Sequence, residues 1–484
     1  MSEKDSNRKG SSTHQKQDKS KPQIIETVDL YQKPDKIYPK AVQGRYHTLR
    51  VIAAIVLLGI FYGTPWLQWN GQQAILFDLP GREFHIFGIT FWPQDFFLFG
   101  LLLVIAAISL FFFTALAGRL WCGYACPQTV WTKIFLKIEH YIEGDRNARM
   151  RLDKMPWNSE KIRKKFTKHG VWIVYSLFTG FCFVGYFIPV DSLFGEIVSL
   201  NLGPWATFWI LFYSLATYGN AGWLREQICI YMCPYARFQS AMFDKNTLII
   251  TYDEERGESR GSRKKNVEPA TLGLGDCIDC KLCVQVCPTG IDIRDGLQYE
   301  CIGCAACIDV CNGVMDQMGY DRGLVRYSTE ESMETGHLKV FRPRVFIYAA
   351  VLLGLLGGLG YAISQRAPIG LDIIRDRNQL YRETVEGMVE NIYTFKFINK
   401  EQRPHRCEFS LVEAGPITLL GDKEIIIPAG ELKTHVARMQ VDPGLLTKAS
   451  NSVNVRVVCD DLNDFVLLEE GRFVGPVLGQ RIPR

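Results

Sequence analysis

The chain has 484 residues, of which 47% are hydrophobic and 22% charged, and its formal net charge at pH 7 is +4. This small net charge by itself says little about partners; no nucleic-acid partner is predicted, with a nucleic-acid-binding arm formed by the N-terminal lysines as the alternative. The apolar residues are gathered into a few long runs, which indicates membrane-spanning segments rather than one soluble core.

The chain begins with a polar, lysine-rich segment over residues 1–45. It contains too few large apolar side chains to offset the entropy of ordering, so we expect a disordered tail. No small-residue cleavage site follows the first apolar run, and we therefore predict that this run is retained in the protein.

Five nearly uncharged segments predict a membrane α-helical bundle of about five spans. The segments are Leu49–Trp66, Phe96–Ala117, Val171–Val190, Pro204–Gly219 and Val345–Ile363. Most of them approach the roughly 20 residues that a helix needs to cross about 30 Å of hydrocarbon, and the fourth is the shortest. A buried core helix is the alternative for any one of them. The first four define a membrane domain over residues 46–250, and the fifth lies within residues 343–365.

The distribution of positive charge predicts the orientation of these spans. The Gly118–Gly170 loop is rich in Lys and Arg, whereas the Asp191–Gly203 loop has none and the Leu67–Asp95 loop has only Arg82. By the positive-inside rule, the N-terminus, the basic loop and the segment after the fourth span are cytoplasmic. Five spans then place residues 366–484 in the periplasm of a bacterium, with the chain in its inner membrane.

Two similar motifs follow the second and fourth spans. Trp121–Pro127 reads WCGYACP and Cys229–Pro234 reads CIYMCP, so a C-x3-C-P unit is repeated just past the cytoplasmic end of a helix. In a helix, cysteines four residues apart share one face and can ligate a soft ion as a pair or as a site shared by both motifs. Thiolates, with Met232 beside them, favour Cu(I) over hard cations, whereas packing at a helix end is the alternative. The candidate ligands are Cys122, Cys126, Cys229 and Cys233.

Residues around these motifs have simpler interpretations. The aromatic residues most simply form an interfacial belt, with an electron path as the alternative. His140 is interpreted as an exposed loop histidine rather than a ligand, and Cys182, inside a span, as a packing residue. The aromatic residues are Trp121, Tyr124, Trp131, Trp223 and Tyr231.

A polar linker leads into a cytoplasmic insert, residues 251–342, that contains eight cysteines. Their spacing, C-x2-C-x2-C-x3-C written twice between Cys277 and Cys311, is typical of bacterial two-cluster ferredoxins. Three thiolates at intervals of three wrap one face of a [4Fe-4S] cubane, and the fourth, at the start of a short helix, ligates the neighbouring cluster. The predicted ligands are Cys277, Cys280, Cys283 and Cys311 for cluster one and Cys301, Cys304, Cys307 and Cys287 for cluster two.

Two other uses of these eight cysteines are disfavoured. Structural zinc sites usually place their cysteine pairs farther apart, and a cytoplasmic location argues against disulfides. Pro288 follows the first run as the pattern requires, whereas Asn312 follows the second, which affects a turn rather than a ligand.

The C-terminal segment changes its hydrophobic period. Asp372–Met388 is predicted as a short helix, and the β-branched and aromatic runs that follow predict an antiparallel, immunoglobulin-like sandwich. Cys407 and Cys459 lie on two of these strands in an oxidising compartment, which predicts an inter-sheet disulfide, with two buried free thiols as the alternative. The strand runs are Asn391–Phe397, Arg406–Val412, Glu424–Ile427, Lys433–Val441, Asn454–Asp460 and Asp464–Leu468.

From about Tyr31 to its end, the chain resembles the FixG/CcoG-type cytochrome c oxidase accessory proteins. The resemblance rests on the two C-x3-C-P motifs, the doubled cysteine run and the post-span sandwich, with NIYTFKFIN at Asn391–Asn399. The C-x3-C-P motifs also recur in quinol-dehydrogenase-type membrane ferredoxins, and the terminal sandwich narrows the choice.

That resemblance implies a role in assembling cbb(3)-type cytochrome c oxidase, with reduction of Cu(II) to Cu(I) at the C-x3-C-P cysteines, so the chain is expected to act as a cupric reductase. It also implies oxidase subunits and copper chaperones as partners, beside an unidentified cytoplasmic electron donor. A quinol-linked relay and a non-enzymatic assembly scaffold are the alternatives; the relay is weakened by the absence of a C-x-x-C-H haem motif. No Gly-rich dinucleotide fingerprint lies between a strand and a helix, so NAD(P)H is expected to act through another protein. A bound flavin stays open.

Overall fold

The computed structural model describes residues 36–265, 267–337, 339, 342–376, 378–462 and 465–476. Residues 1–35 of the predicted tail lie outside this range. The last part of that predicted tail is hydrogen-bonded: the Tyr38 hydroxyl donates to Asp153 at 2.7 Å, and the Lys40 backbone N–H donates to the Gln285 carbonyl at 2.8 Å.

Helices and a small β-region form the chain before the insert. The helices are α1 Arg45–Gly63, α2 Phe96–Ala117, α3 Leu120–Tyr124, α4 Pro127–Glu143, α5 Arg146–Lys154, α6 Ser159–Val184, α7 Val190–Val198, α8 Pro204–Thr217 and α9 Pro234–Met242. Between α1 and α2 lie the short strands β1 Gln68–Trp69, β2 Gln72–Gln73, β3 Ile75–Asp78, β4 Glu83–Ile86 and β5 Ile89–Phe91.

Among the residues that the structure describes, three helical segments are long and apolar enough to cross a membrane: Arg45–Trp66, Pro93–Ala117 and Pro343–Ser364. Only 11%, 11% and 0% of their most apolar windows is buried within the protein. Apolar surface of this extent requires an apolar surrounding, so this is a membrane protein. The first, second and fifth predicted spans correspond to these helices.

The third and fourth predicted spans differ from their observed helices. Helix α6 ends at Val184 and α7 begins at Val190, so the predicted end of the third span at Val190 is wrong. Helix α8 continues without a break into a π-helix over Tyr218–Leu224, in which each hydrogen bond spans one residue more than in an α-helix. The fourth segment is therefore longer than its predicted Pro204–Gly219.

Helices α6 and α8 lie side by side. A Cβ atom at Gly180 of α6 would lie 2.5 Å from the Ile210 carbonyl oxygen of α8, so only glycine allows this approach. The rings of Phe183 and Tyr213 also meet, with 3.8 Å between centroids. The two helices therefore form a tightly packed hairpin.

The connections between helices meet at two opposite ends. At one end the His47 backbone N–H, at the start of α1, donates to Asp309 of the insert at 2.7 Å. At the other, the Phe77 N–H of β3 donates to the Tyr186 carbonyl after α6 at 2.7 Å. The α1–α2 and α6–α7 connections thus share one end, and the insert lies at the other.

The cysteine-rich insert has few regular elements. It contains β6 Ile249–Tyr252, α10 Glu254–Gly257, α11 Leu282–Val286, α12 Ala306–Met318, β7 Val325–Ser328 and α13 Glu330–Thr335, and α14 Pro343–Ser364 follows it. Strands β6 and β7 pair antiparallel, with Ile250 opposite Tyr327, and so close the insert at its base.

The C-terminal domain is a sandwich of two antiparallel sheets, in the order β12-β14-β10-β8, with β9 on β10, and β13-β11-β15-β16. Its core comes from inward-facing residues of both sheets, such as Phe395, Phe397 and Phe409. The strands are β8 Ile369–Arg375, β9 Arg382–Glu383, β10 Val389–Asn399, β11 His405–Val412, β12 Thr418–Leu420, β13 Glu424–Ile427, β14 Leu432–Val441, β15 Ser450–Cys459 and β16 Val466–Val474.

Two predictions for this domain need correction. The predicted helix over Asp372–Met388 is wrong, because its first residues lie in β8 and pair with β10. Cys407 and Cys459 do form a disulfide. They lie opposite each other on the neighbouring strands β11 and β15, so the bond joins strands of one sheet rather than two sheets.

Polar contacts attach the sandwich to the α1–α2 connection. The buried Asp95 carboxylate, just before α2, accepts a hydrogen bond from Lys400 Nζ at 3.0 Å and another from Arg366. Gln94 donates to Asp372 of β8 at 3.0 Å. The sandwich therefore lies at the end opposite the insert.

Candidate metal centres

The eight cysteines of the insert line two adjacent cavities. One cavity, with about 390 Å³ of empty space, is lined by Cys277, Cys280, Cys283 and Cys311. The other, with about 340 Å³, is lined by Cys287, Cys301, Cys304 and Cys307, and Cys283 reaches it as well. The structure thus brings together each of the two predicted ligand sets.

Left-handed backbone residues build both cavities in the same way. Asp279 and Lys281 flank Cys280 with φ of 51° and 54°, and Gly303 and Ala305 flank Cys304 with φ of 66° and 58°. These turns wrap the chain around the cavity before α11 and α12 begin. The doubled sequence motif is therefore also a doubled backbone motif.

The fourth cysteine of each run differs from its predicted place. Cys287 follows the last residue of α11, and Cys311 lies within α12, so neither begins a helix. Each nevertheless lines the cavity of the other run's first three cysteines. The exchange of fourth ligands needs only that α11 and α12 pack together.

Cysteine thiols line both cavities, which fits thiolate-bound iron–sulfur clusters. Among the described residues, no group of three or more His, Cys, Asp or Glu side chains converges on one ion position. Burial raises the pKa of Cys283 to about 11 and the pKa values of Cys301 and Cys311 to about 12. Bound iron would supply the positive charge that these thiols need to ionise.

One buried arginine places a positive charge at the wall of the first cavity. Arg294, 6% exposed, lines it and donates to Asp292 and to Asp279 at 2.6 Å each. Its hydrogen bonds lower the pKa of both carboxyl groups. The same positive charge acts on Cys283, where it opposes the effect of burial on the thiol.

The two C-x3-C-P motifs share one backbone form. Each proline is the first residue of a helix, Pro127 of α4 and Pro234 of α9, where a missing N–H costs nothing. The preceding cysteines are extended, Cys126 with ψ of 128° and Cys233 with ψ of 110°, since proline disfavours the helical conformation before it. The prediction that each cysteine pair shares one helix face is therefore wrong.

The four membrane cysteines nevertheless act on one another electrostatically. The pKa of Cys122 is raised to about 12 by burial first and then by the nearby charges of Cys126, Cys229 and Cys233. Burial likewise raises the pKa of Cys229 to about 11, with Cys126 and Cys233 adding to it. We call these four cysteines the membrane cysteine site; their thiols affect one another's pKa, although no three of these described side chains converge on one ion position.

Buried polar residues support the Cys122 thiol. Its Sγ donates a hydrogen bond to Gln239 Oε1 at 3.3 Å, and Gln239 in turn donates to Thr114 at 3.4 Å. The Thr129 hydroxyl donates to the Cys122 carbonyl at 2.6 Å. Side chains from α2, α4 and α9 therefore fix the position of this thiol.

The membrane cysteine site lies against the second cavity of the insert. Cys122 and Cys229 both pack on the apolar cluster that includes Ile302 and Cys304. Cys304 also lines the second cavity. The two groups of cysteines, far apart in the sequence, are thus neighbours in the fold.

Three family models match the chain. A 4Fe-4S dicluster domain covers residues 224–330, a 4Fe-4S binding domain covers residues 99–139, and the IG-like fold at the C-terminal of FixG covers residues 359–476. The nitrogen fixation protein FixG of Rhizobium meliloti is 43% identical over 413 residues, which are 77% of this chain and 79% of that protein. The chain belongs to the FixG family. The resemblance, the iron–sulfur domains and the immunoglobulin-like sandwich predicted from sequence are confirmed.

Two further similarities are found, and the first of them, to a curated relative, supports the assignment to the FixG family. Protein RdxB of Cereibacter sphaeroides is 40% identical over 455 residues, 90% of this chain and 95% of that protein. A crystal structure of a FixG-related protein from Vibrio parahaemolyticus is 31% identical, covers 22% of this chain and 97% of its own, and has a TM-score of 0.21.

The aromatic residues near the motifs divide into two groups in this FixG-family chain. Trp223 and Tyr231 are 69% and 60% exposed, as expected for an interfacial belt. Trp131 instead lies between helices, where its Nε1 donates to the Tyr62 hydroxyl of α1 at 3.0 Å. Interfacial exposure therefore does not describe Trp131. Trp121 is 43% exposed, and Tyr124 is half-buried.

His140, Met232 and Cys182 have simple environments. His140 is exposed as predicted, but it lies in the last turn of α4 rather than in a loop, with its Nδ1 4.0 Å from Asp145 Oδ1. Cys182 is fully buried within α6, as expected for a packing residue. Met232 is 63% exposed, so its side chain is open to solvent or lipid rather than enclosed with the thiols.

Sequence reasoning missed two residues of these sites. Arg119 is 5% exposed, and its positive charge opposes the raised pKa values of Cys122, Cys229 and Cys301. Gln239 contacts Cys122 from α9. Arg119 directly precedes the LWCGYACP segment, and Gln239 lies five residues after Pro234. The sequence therefore offered one signal, a polar residue beside each motif, but not its burial.

Proposed function

We propose that this FixG-family chain reduces Cu(II) to Cu(I) at the membrane cysteine site during assembly of a cbb(3)-type cytochrome c oxidase. Electron transfer itself follows from the family and the 4Fe-4S domains. The observation that carries the copper proposal is the packing of Cys122 and Cys229, one from each motif, beside the second cavity of the insert, with Cys126 and Cys233 acting electrostatically on the Cys122 thiol.

The residues of the insert would hold two [4Fe-4S] clusters, which supply one-electron redox chemistry when bound. Cys277, Cys280, Cys283 and Cys311 would ligate one, and Cys301, Cys304, Cys307 and Cys287 the other. The cavity linings support this division. Exchange of the fourth ligand would tie α11 and α12 together, so loss of either set would disturb both.

The membrane cysteines would select the reduced ion. Cu(I) is a soft cation that thiolates bind well, whereas Cu(II) prefers nitrogen and oxygen ligands. Because burial raises the pKa of Cys122 and Cys229, copper must displace thiol protons as it binds. One electron and a set of thiolates together convert bound Cu(II) into a stable Cu(I) thiolate.

A five-span topology would place these sites on the cytoplasmic face of a bacterial inner membrane. Helices α8 and the following π-helix run from Pro204 to Leu224, about 30 Å at 1.5 Å per residue, which suffices for a fourth crossing. The disulfide lies in the sandwich and the free cysteines of both motifs at the opposite end, in keeping with an oxidising and a reducing compartment. The sandwich would then meet oxidase subunits and copper chaperones in the periplasm, while a cytoplasmic donor meets the insert.

The copper proposal is tested with purified full-length protein. The Cys122→Ala, Cys126→Ala double variant is reduced with dithionite, freed of excess reductant and mixed with Cu(II) and a Cu(I)-specific chelator. We expect Cu(I) formation to be lost while the cluster absorbance remains, and Cys182→Ala to behave as wild type. Copper reduction at the wild-type rate by the double variant would show that the proposed site is wrong.

A second candidate is a third iron–sulfur cluster at the membrane cysteines. The 4Fe-4S binding domain that matches residues 99–139 includes Cys122 and Cys126 but none of the insert cysteines, which favours this reading. Iron analysis separates the two: roughly eight iron atoms per chain fit two clusters, and roughly twelve would fit three.

A further inference from the structure

Two glycines bring the first C-x3-C-P motif into contact with the insert. A Cβ atom at Gly123 would lie 2.8 Å from the Gly303 carbonyl oxygen and 3.0 Å from Cys304 Cα. A Cβ atom at Gly303 would lie 3.1 Å from the Arg119 carbonyl oxygen, at a φ of +66° that also favours glycine. All three neighbours are backbone atoms, which cannot move aside as a flexible side chain can. The Gly123–Gly303 contact therefore exists only because both residues are glycine.

The insert loop at this contact is held in place from its other side. The Tyr327 hydroxyl of β7 donates to the Gly303 carbonyl at 2.7 Å. The Tyr327 ring packs edge-on against Tyr46 of α1, with 5.4 Å between centroids. The loop before Cys304 is thus clamped between the motif and a pair of tyrosines.

The two cavities of the insert differ in what surrounds them. Cys280, in the first cavity, is exposed, and the residues that line that cavity all come from the insert. Cys304, in the second, is 8% exposed and shares its apolar cluster with Cys122 and Cys229. Cys283 lines both cavities. One cavity therefore opens toward solvent and the other toward the membrane cysteines.

We propose that the Gly123–Gly303 contact is the exit point where one electron leaves the insert for copper, with the exposed Cys280 edge as the side of entry. This inference rests on the copper reduction proposed above. Cu(II) gains one electron and becomes Cu(I), the insert loses one, and a soluble one-electron donor is oxidised to restore it. Tunnelling rates fall exponentially with distance, and this contact brings the insert backbone just before Cys304 against the first C-x3-C-P motif with no side chain between them.

The test uses Gly123→Ala in the full-length protein, reduced with dithionite and mixed with Cu(II) in a stopped-flow instrument. The added methyl group must push the Gly303 loop away, and a displacement of this kind slows the transfer by about tenfold or more. Gly313→Ala is the matched control, because that position in α12 has open space for a Cβ atom. Iron content and the EPR signals of the reduced protein should be unchanged in both variants.

A second measurement, which needs no copper, tests the same Gly123–Gly303 contact. Alkylation of copper-free protein, located by mass spectrometry, should become faster at Cys122 and Cys229 in Gly123→Ala, because these two pack on the Ile302 cluster. Unchanged copper reduction and unchanged alkylation in Gly123→Ala would overturn the exit point. Failure of wild-type protein to reduce Cu(II) would instead refute the proposed function, and the alkylation would still test the contact.

If Gly123→Ala loses its clusters, Tyr327→Phe provides a second test of the same contact. It removes the hydroxyl that donates to the Gly303 carbonyl and that also hydrogen-bonds Tyr124 of the motif, so both contacts loosen without a collision. We expect slower copper reduction with cluster absorbance retained. A wild-type rate in Tyr327→Phe, with the clusters present, would contradict the exit point.

Discussion

A buried ion network next to the membrane cysteine site gives a sharp prediction. Glu139, 1% exposed, lies 3.0 Å from Arg225, 3.4 Å from Arg149 and 3.4 Å from Lys168. Glu139→Gln keeps the shape but leaves these three cations without that carboxylate. Removing one partner of a buried ion pair costs about 3–5 kcal/mol, because the remaining charge stays desolvated.

The network also positions the second motif. Arg225, four residues before Cys229, ends the π-helix with φ of +42°. Its Nε donates a hydrogen bond to the Gly222 carbonyl at 2.8 Å. Loss of its partner Glu139 should loosen this turn, so the Glu139→Gln variant should also bind copper more weakly. Unchanged copper binding in Glu139→Gln would show that this turn does not depend on Glu139.

The assay is thermal unfolding of detergent-solubilised protein, followed by copper titration. Glu139→Gln should lower Tm by about 5 °C or more. Glu160→Gln is the matched control, because Glu160 forms an exposed i,i+4 pair with Lys164 at 2.7 Å and should not change Tm measurably. Equal Tm values for the two variants would refute the reasoning.

Three further predictions concern other parts of the chain. Gln239→Leu removes the acceptor of the hydrogen bond that the protonated Cys122 thiol donates, and because copper must displace that proton, Cu(I) binding should become about fivefold tighter in a chelator competition, with cluster absorbance unchanged; unaltered affinity would show that Gln239 has no role. Replacing Cys407 and Cys459 by alanine removes a crosslink over a sequence separation of 52 and should destabilise the sandwich by about 4 kcal/mol in denaturant unfolding, and an unchanged midpoint would contradict this. Burial, Arg50 and Lys137 lower the pKa of Lys133 to about 8, below its value of 10.5 in the unfolded chain. The charged lysine therefore destabilises the folded protein at neutral pH, and the stability of the wild type should rise between pH 8 and 10.5 as Lys133 loses its proton. Lys133→Met should be more stable than wild type at pH 7 and should lack that rise, and parallel pH profiles would be the contrary result.

The parts of the fold that follow from local sequence were predictable. Apolar runs such as Phe96–Ala117 match α2 residue for residue, because a membrane span needs only length and lack of charge. The cysteine spacing from Cys277 to Cys311 likewise determines which thiols can surround one cavity. Both signals are contained within a few tens of residues.

Features that depend on distant partners were not predictable. Asp372–Met388 contains good helix formers, yet its first residues become a strand because β10 offers a complete set of hydrogen-bonding partners. The disulfide lies within one sheet because β11 and β15 are neighbours, an order that strand spacing does not reveal. The contact of Gly123 with Gly303 joins residues far apart in the sequence, and the glycine in WCGYACP has no local reason to be there.

The central claim is that electrons from the insert reduce copper at the membrane cysteines. The most direct measurement is an EPR titration of the dithionite-reduced, reductant-free protein with Cu(II). The reduced-cluster signals should disappear as the first equivalents of Cu(II) are added, with no Cu(II) signal until the clusters are oxidised. A Cu(II) signal that grows from the first addition while the cluster signals persist would contradict the account.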